Sequence, residues 1–163
     1  MNLTVTTHGV EQTRALAAAV AGLAEPGDLL VLVGDLGAGK TAFAQGFARG
    51  LHIDEPVTSP TFTLVRSYTG RLVLHHVDVY RLDRLQEALD LDLPQLIDDG
   101  GVTLIEWGDA VVPALPPEFL EVRLGYGEAD DHRSVALRPV GHRWAARERR
   151  LHDVVAATRR GPC

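Results

Sequence analysis

Leu29-Leu30-Val31-Leu32-Val33-Gly34-Asp35-Leu36-Gly37-Ala38-Gly39-Lys40-Thr41 is the stretch from which the rest of the chain can be read. Asp28 to Val33, with its unbroken aliphatic run, reads as a strand buried on both faces, where no polar alternation is needed. Gly34 to Thr41 then satisfies G-x-x-x-x-G-K-[ST]. Glycines let such a loop turn without Cβ clashes and aim successive N–H groups at phosphate oxygens. Ala42 to Leu51 reads as a helix with Phe43, Phe47 and Leu51 along one side. Its positive N-terminal end would face the same phosphates. Strand, loop and helix thus stand in the order of a phosphate-binding loop. Gly34, Asp35, Leu36, Gly37, Ala38 and Gly39 are expected to form the cradle, Lys40 to neutralise the β and γ phosphates, and the Thr41 hydroxyl to ligate Mg²⁺. Sixteen residues are Lys or Arg, and Lys40 is the only Lys among them. A compact ammonium suits a tight loop that a planar guanidinium would not enter.

On the N-terminal side, Leu3 to Thr6 alternates like a short strand. Val10, Ala17, Val20 and Leu23 recur at helical spacing before Pro26-Gly27 ends the helix. On the C-terminal side, Val57 to Phe62 reads as a loop bracketed by Pro56 and Pro60. Thr63 to Tyr68 and Arg71 to Asp78 read as a hairpin turning at Thr69-Gly70. Asp83 to Leu91 and Pro94 to Ile97 read as short helices, and Val102 to Glu106 as another apolar strand. Leu120 to Tyr126 and Ser134 to Leu137 form an expected antiparallel pair, and Trp144 to Ala157 a terminal helix. The expectation is an α/β fold, a P-loop NTPase-like mixed sheet flanked by helices, with a hairpin after a switch-like loop. Residues 1–142 would form the nucleotide domain. Residues 143–163 would form a basic helix and tail, part of that domain or appended to it.

The 163 residues carry a formal charge of −6, but Arg138 to Arg160 alone holds seven arginines against Glu148 and Asp153. An acidic body repels nucleic acid, so RNA contact is expected only through this basic segment or a partner, and a solvated helix is the plainer reading. The aliphatic run Leu29 to Val33 falls far below the roughly 20 residues of a membrane span. The N-terminal ten residues lack Lys and Arg, and Cys163 is the only cysteine. These features suggest a soluble, cytoplasmic protein without a signal peptide or disulfide.

A triphosphate site also needs an acid at the end of a neighbouring strand to act on the metal or the attacking water. Asp78 and Glu106 each end an apolar run. Ser59 and Thr61, around Pro60, lie where nucleotide switches occur in P-loop proteins, although a plain Ser/Thr-Pro turn fits as well. Trp107 could stack on a base or belong to the core. His75 and His76 are adjacent in a strand, point to opposite faces, and cannot chelate one ion together. Guanine-specific P-loop proteins commonly read the base with N-K-x-D. With Asn2 and Lys40 the only Asn and Lys in the chain, that element cannot exist, which favours ATP.

GDLGAGKT, SPTF at 59–62, HVDVYR at 76–81 and IEW at 105–107 together resemble the TsaE (YjeE) family in order and spacing, over roughly residues 10–110. The resemblance implies a bacterial ATPase that works with TsaD and TsaB in threonylcarbamoyladenosine modification of tRNA, driving or resetting the complex and not itself performing the transfer. It also implies Thr61 in the switch-like loop, Asp78 and Glu106 as essential acids with Glu106 as metal ligand, and Trp107 near the nucleotide. Leu51-His52, where the family often has Leu-Gly, and the absence of a glycine from Asp90 to Leu93 depart from the pattern. Two other classes compete. A small-molecule P-loop kinase would need an arginine lid, for which Arg81, Arg84 or the C-terminal arginines are available, and an acceptor motif, of which no sign is found. A nucleotide-dependent assembly or regulatory module would not need the two acids for turnover.

Overall fold

The computed structural model describes residues 3–35, 37–58, 65–78, 93–106 and 115–160. In chain order they form β1 (Leu3–Thr7), α1 (Val10–Ala21), β2 (Leu29–Gly34), α2 (Lys40–Gly50), β3 (Val65–Thr69), β4 (Val73–Asp78), α3 (Leu93–Ile97), β5 (Val102–Glu106), β6 (Phe119–Tyr126), β7 (Arg133–Val140), α4 (His142–Ala145) and α5 (Glu148–Arg160). The strands make one seven-stranded sheet in the order β1-β7-β6-β2-β5-β4-β3. The four central strands, β6, β2, β5 and β4, run parallel, while the β6–β7, β7–β1 and β4–β3 pairs are antiparallel. The expected mixed α/β sheet and its β3–β4 hairpin are therefore present.

Burial explains the strand sequences. β2 is paired on both edges and covered on both faces, so Leu29 to Val33 are all buried. Leu30 and Leu32 join the larger core with Phe43 and Phe47 of α2, and Leu29, Val31 and Val33 join a smaller core with Val77, Ile105 and Phe119. β1 lies at a sheet edge, and its burial alternates accordingly. Val10, counted above with the apolar repeat of α1, is half exposed at the first turn and does not belong to the core.

The terminal helix differs from the expectation. Trp144 and Ala157 do not share one helix, because α4 ends at Ala145 and α5 begins at Glu148. At the break the Arg147 N–H bonds the Trp144 carbonyl at 3.0 Å, an i to i−3 contact that tightens the chain and turns Arg147 inward. There its guanidinium grips the fully buried Asp28, with Nη1 2.6 Å from Oδ2 and Nη2 2.8 Å from Oδ1. Asp28 also accepts from Arg143 Nε at 3.2 Å and from the Glu25 N–H at 2.7 Å. The Trp144 ring lies under the Arg147 guanidinium, 4.1 Å from its carbon. Burial works against the arginine's charge, but the bonds to Asp28 and its charge outweigh that and raise the Arg147 pKa. The basic segment is thus only partly the solvated face expected of it: Arg143 and Arg147 bind Asp28, and Arg138 Nη2 lies 2.8 Å from Glu121 Oε2, while Arg149, Arg150, Arg159 and Arg160 are exposed.

Arg147→Ala would leave the Asp28 carboxylate buried without its main partner. It should destabilise the fold by about 3–5 kcal/mol in urea unfolding, well above an exposed arginine such as Arg150→Ala, for which about 0–0.5 kcal/mol is expected.

Candidate functional site

Parallel pairing brings the carboxyl ends of β2, β5 and β4 side by side. Glu106, the last residue of β5, is opposite Leu32 on one side and Asp78, the last residue of β4, on the other. Strand alternation places Leu74, His76 and Asp78 on one face of β4, and Val102, Leu104 and Glu106 on the same face of β5. Leu74, Val102 and Leu104 belong to the core that includes Phe43 and Phe47, so both acids end on the side of the sheet that α2 covers. In open α/β sheets, ligands bind at this carboxyl edge.

The loop that leaves β2 is shaped by close packing. A Cβ on Gly34 would stand 2.5 Å from the Leu124 carbonyl oxygen of β6, so no side chain fits there. Gly39 has φ 108 and ψ 14, a left-handed backbone at the N-cap of α2, and contributes no side-chain capping bond. The first N–H groups of any helix have no partner within the helix itself. Ala38 is fully buried beneath the loop, with its N–H donating to the Asp35 carbonyl at 3.0 Å.

Lys40 is buried at the first position of α2, where its ammonium donates to the carbonyls of Gly34 at 2.6 Å and Asp35 at 2.9 Å. Burial lowers its pKa, while the carboxylates of Glu106, Asp35 and Asp78 oppose that shift. The one lysine and the two strand-end acids therefore act on each other across the site. Glu106 is only 2% exposed, and its Oε2 meets Nε2 of the fully buried His76.

His76 is a functional candidate that the sequence reading passed over. Its signal was a polar pair, His75-His76, inside an otherwise apolar strand. The two rings do diverge as expected. The His75 Nδ1 is 2.7 Å from the Ser67 hydroxyl and its Nε2 is 2.6 Å from Asp99 Oδ2, whereas His76 turns to Glu106. Gln45 ties the chain that enters the switch-like segment to α2: its Nε2 donates to the Val57 carbonyl at 3.2 Å, and its Oε1 accepts from Arg14 Nη2 at 2.9 Å. Leu36, Thr61 and Trp107 lie outside the described residues, as do the rest of residues 59–64 and the expected helix at 83–91. Of the expected site residues, Gly34, Asp35, Gly37, Ala38, Gly39, Lys40, Thr41, Asp78 and Glu106 gather at this one edge.

The architecture is that of an α/β protein with a mixed seven-stranded sheet whose glycine loop, buried lysine and paired acids share the carboxyl edge. Comparison with known proteins is specific: the family described as "Threonylcarbamoyl adenosine biosynthesis protein TsaE" matches residues 7–135, and the chain belongs to the TsaE family. It is 44% identical over 135 residues to the tRNA threonylcarbamoyladenosine biosynthesis protein TsaE of Bacillus subtilis, covering 82% of this chain and 84% of that one. The TsaE protein of Streptomyces coelicolor is 41% identical over 139 residues, with 81% and 93% covered. The crystal structure of Bacillus subtilis YdiB superposes with a TM-score of 0.77 at 37% identity, covering 94% of this chain and 95% of that one. No helix among the described residues is long and apolar enough to cross a membrane.

Removing the imidazole should leave Glu106 buried with one fewer partner. We expect His76→Ala to lower unfolding free energy by about 2–4 kcal/mol, from a lost buried contact plus a cavity. The double variant His76→Leu with Glu106→Leu should recover much of that loss, and chemical denaturation of the three proteins measures both effects.

Proposed function

We propose that this chain binds and slowly hydrolyses ATP with Mg²⁺, acting with TsaB and TsaD in threonylcarbamoyladenosine modification of tRNA. The observation that carries the reading is the buried Lys40 ammonium, held inside a glycine loop and coupled to Asp78 and Glu106. An ammonium held by two loop carbonyls at the start of α2 is the group that would neutralise the β and γ phosphates of a P-loop nucleotide. The family membership and the names of its relatives support the tRNA-modification setting.

The donor set suits magnesium. Among the described residues no group of three or more His, Cys, Asp or Glu could hold a metal ion alone. Mg²⁺ ordinarily keeps several waters and is held by one or two carboxylates plus substrate phosphates, which fits Glu106, Thr41 and Asp78 around a triphosphate. When bound, the ion would neutralise charge on the phosphate oxygens. The residues divide the remaining work. Lys40 and the N–H groups of the loop bind and orient the β and γ phosphates. Glu106, oriented by His76, and Asp78 hold the metal and the attacking water, with Thr61 supplying a hydroxyl from the switch-like segment and Trp107 lying beside the nucleotide. In this reading hydrolysis drives or resets the complex between turnovers, and a partner supplies what makes it fast, as in-trans groups do in other P-loop systems.

Phosphate release by the purified chain, with and without TsaB and TsaD, tests the proposal. Lys40→Ala should weaken ATP binding by one to two orders of magnitude. Glu106→Ala should bind ATP but lose about 3 kcal/mol of transition-state stabilisation, on the order of a hundredfold in kcat. Full turnover in the Glu106 variant would refute the assignment, and transfer of the γ-phosphate to a metabolite would make the protein a kinase.

A further inference from the structure

On the face of the sheet opposite the loop site, three side chains stand in the order serine, histidine, aspartate. Ser67 of β3 and His75 of β4 are paired directly across the hairpin, and the Ser67 hydroxyl lies 2.7 Å from His75 Nδ1. His75 Nε2 in turn lies 2.6 Å from Oδ2 of Asp99, in the connection between α3 and β5. We propose that these residues form a second chemical centre. Ser67 is a nucleophile that takes an acyl group from an activated ester or anhydride, His75 is its general base, and Asp99 positions the imidazole.

The cluster stands apart from the carboxyl edge and needs no nucleotide. His75 precedes Asp78 by three residues on β4, about 10 Å along a strand, and points to the face that His76 and Asp78 do not share. Close packing brings Asp99 to it. A Cβ on Gly101 would stand 2.5 Å from the Val73 carbonyl oxygen, so only glycine lets the α3–β5 connection close onto β4. The Gly101 N–H donates to Asp99 Oδ1 at 3.0 Å, which fixes the carboxylate with Oδ2 toward the ring.

Exposure divides the roles. His75 is only 5% exposed, whereas Ser67 and Asp99 are exposed, so the base is shielded while the nucleophile is open to a donor. A carboxylate beside Nε2 favours the ring proton on that nitrogen, which leaves the Nδ1 lone pair for the Ser67 hydroxyl. Packing alone asks for no such row. The neighbouring strand sets Thr103 opposite His75, and its buried Oγ1 has no hydrogen-bond partner among the described residues. Three polar side chains thus align across β3, β4 and β5 on a face that elsewhere holds Leu29, Val31, Val77 and Ile105, although burying polar groups there costs stability.

In the acyl transfer, Ser67 Oγ attacks the carbonyl carbon as its proton passes to His75 Nδ1, forming the new O–C bond. The tetrahedral adduct then collapses, and the bond to the leaving group breaks with its electron pair. The imidazolium returns its proton to the departing oxygen or to water. The products are O-acyl-Ser67 and the free leaving group, with nothing oxidised or reduced. The three side chains supply proton transfer, so the donor has to carry a good leaving group.

Brief exposure of the full chain to p-nitrophenyl acetate, followed by acid quenching and peptide mass mapping, tests this. Ser67 should gain its acetyl group about a hundredfold faster than Ser134, the scale of general-base catalysis. His75→Gln should bring Ser67 down to the Ser134 rate. Because His75 is buried, the exposed Asp99 gives a second reading that does not disturb the core. Asp99→Asn should slow Ser67 acetylation by about tenfold or more, and Asp99→Glu should restore part of it, since a carboxylate and not mere bulk holds the tautomer. Wild-type Ser67 reacting no faster than Ser134 would overturn the proposal, as would a Ser67 rate that neither His75→Gln nor Asp99→Asn changes.

Discussion

The whole site depends on β2 having no free edge and no free face. It is hydrogen-bonded to β5 and β6 and packed against a core on each side. A strand so enclosed can carry only apolar side chains, and its polar chemistry has to begin where it leaves the sheet. At that point β6 crowds the backbone, and the Leu124 carbonyl leaves no room for a Cβ at Gly34. The chain must turn through left-handed Gly39 before the first turn of α2 can start. Lys40 emerges from that turn pointing back at the end of the strand it has just left, where it meets the Gly34 and Asp35 carbonyls. The position of the ammonium is a consequence of packing β2.

The strand–loop–helix unit was legible in the sequence because every part of it is local: an aliphatic run, spaced glycines, and an apolar helix face within 23 residues of one another, Leu29 to Leu51. Asp78 and Glu106 were legible as strand-end acids for the same reason. That they stand opposite each other is a property of strand order and register, which no local pattern encodes. The buried contact of His76 with Glu106 spans 30 positions, and the Asp28–Arg147 pair spans 119, so each looked like an isolated polar residue. Asp28 in particular passed for the first residue of an apolar strand. The break between α4 and α5 was missed because helical periodicity continues through it, and only the inward turn of Arg147 interrupts the helix. Thr61 and Trp107, which the sequence also singled out, lie outside the described residues.

Charge is arranged on a larger scale than any one contact. The acidic excess of residues 1–137 surrounds a single lysine, and carboxylates occur on both sides of it: Asp78 and Glu106 along the sheet edge, Asp130 and Asp131 at the β6–β7 connection. Such a field disfavours a bare polyanion and tolerates one whose charge is already reduced by a divalent cation. The basic C-terminal segment does not offset this at the site, since Arg143 and Arg147 are spent on Asp28 at the opposite end of β2 and Arg138 on Glu121.

That opposite end is where the C-terminal segment bears on the site. Asp28 directly precedes β2, and Arg147 holds it from the turn between α4 and α5. The same guanidinium bonds the Leu23 carbonyl at 2.9 Å, and Arg143 bonds the Pro26 carbonyl at 2.6 Å, so the whole connection from α1 into β2 is clamped by residues more than a hundred positions away. The family match stops at residue 135, before either arginine, yet the likeness to the solved YdiB structure extends over 94% of the chain. A strand fastened at its start by a buried ion pair and along its length by two parallel neighbours has little freedom to slide. Any shift of β2 along its axis would move Gly34 against Leu124 and draw the Lys40 ammonium away from Glu106. The clamp therefore acts on the site through the strand, although it touches none of the residues that would meet a nucleotide.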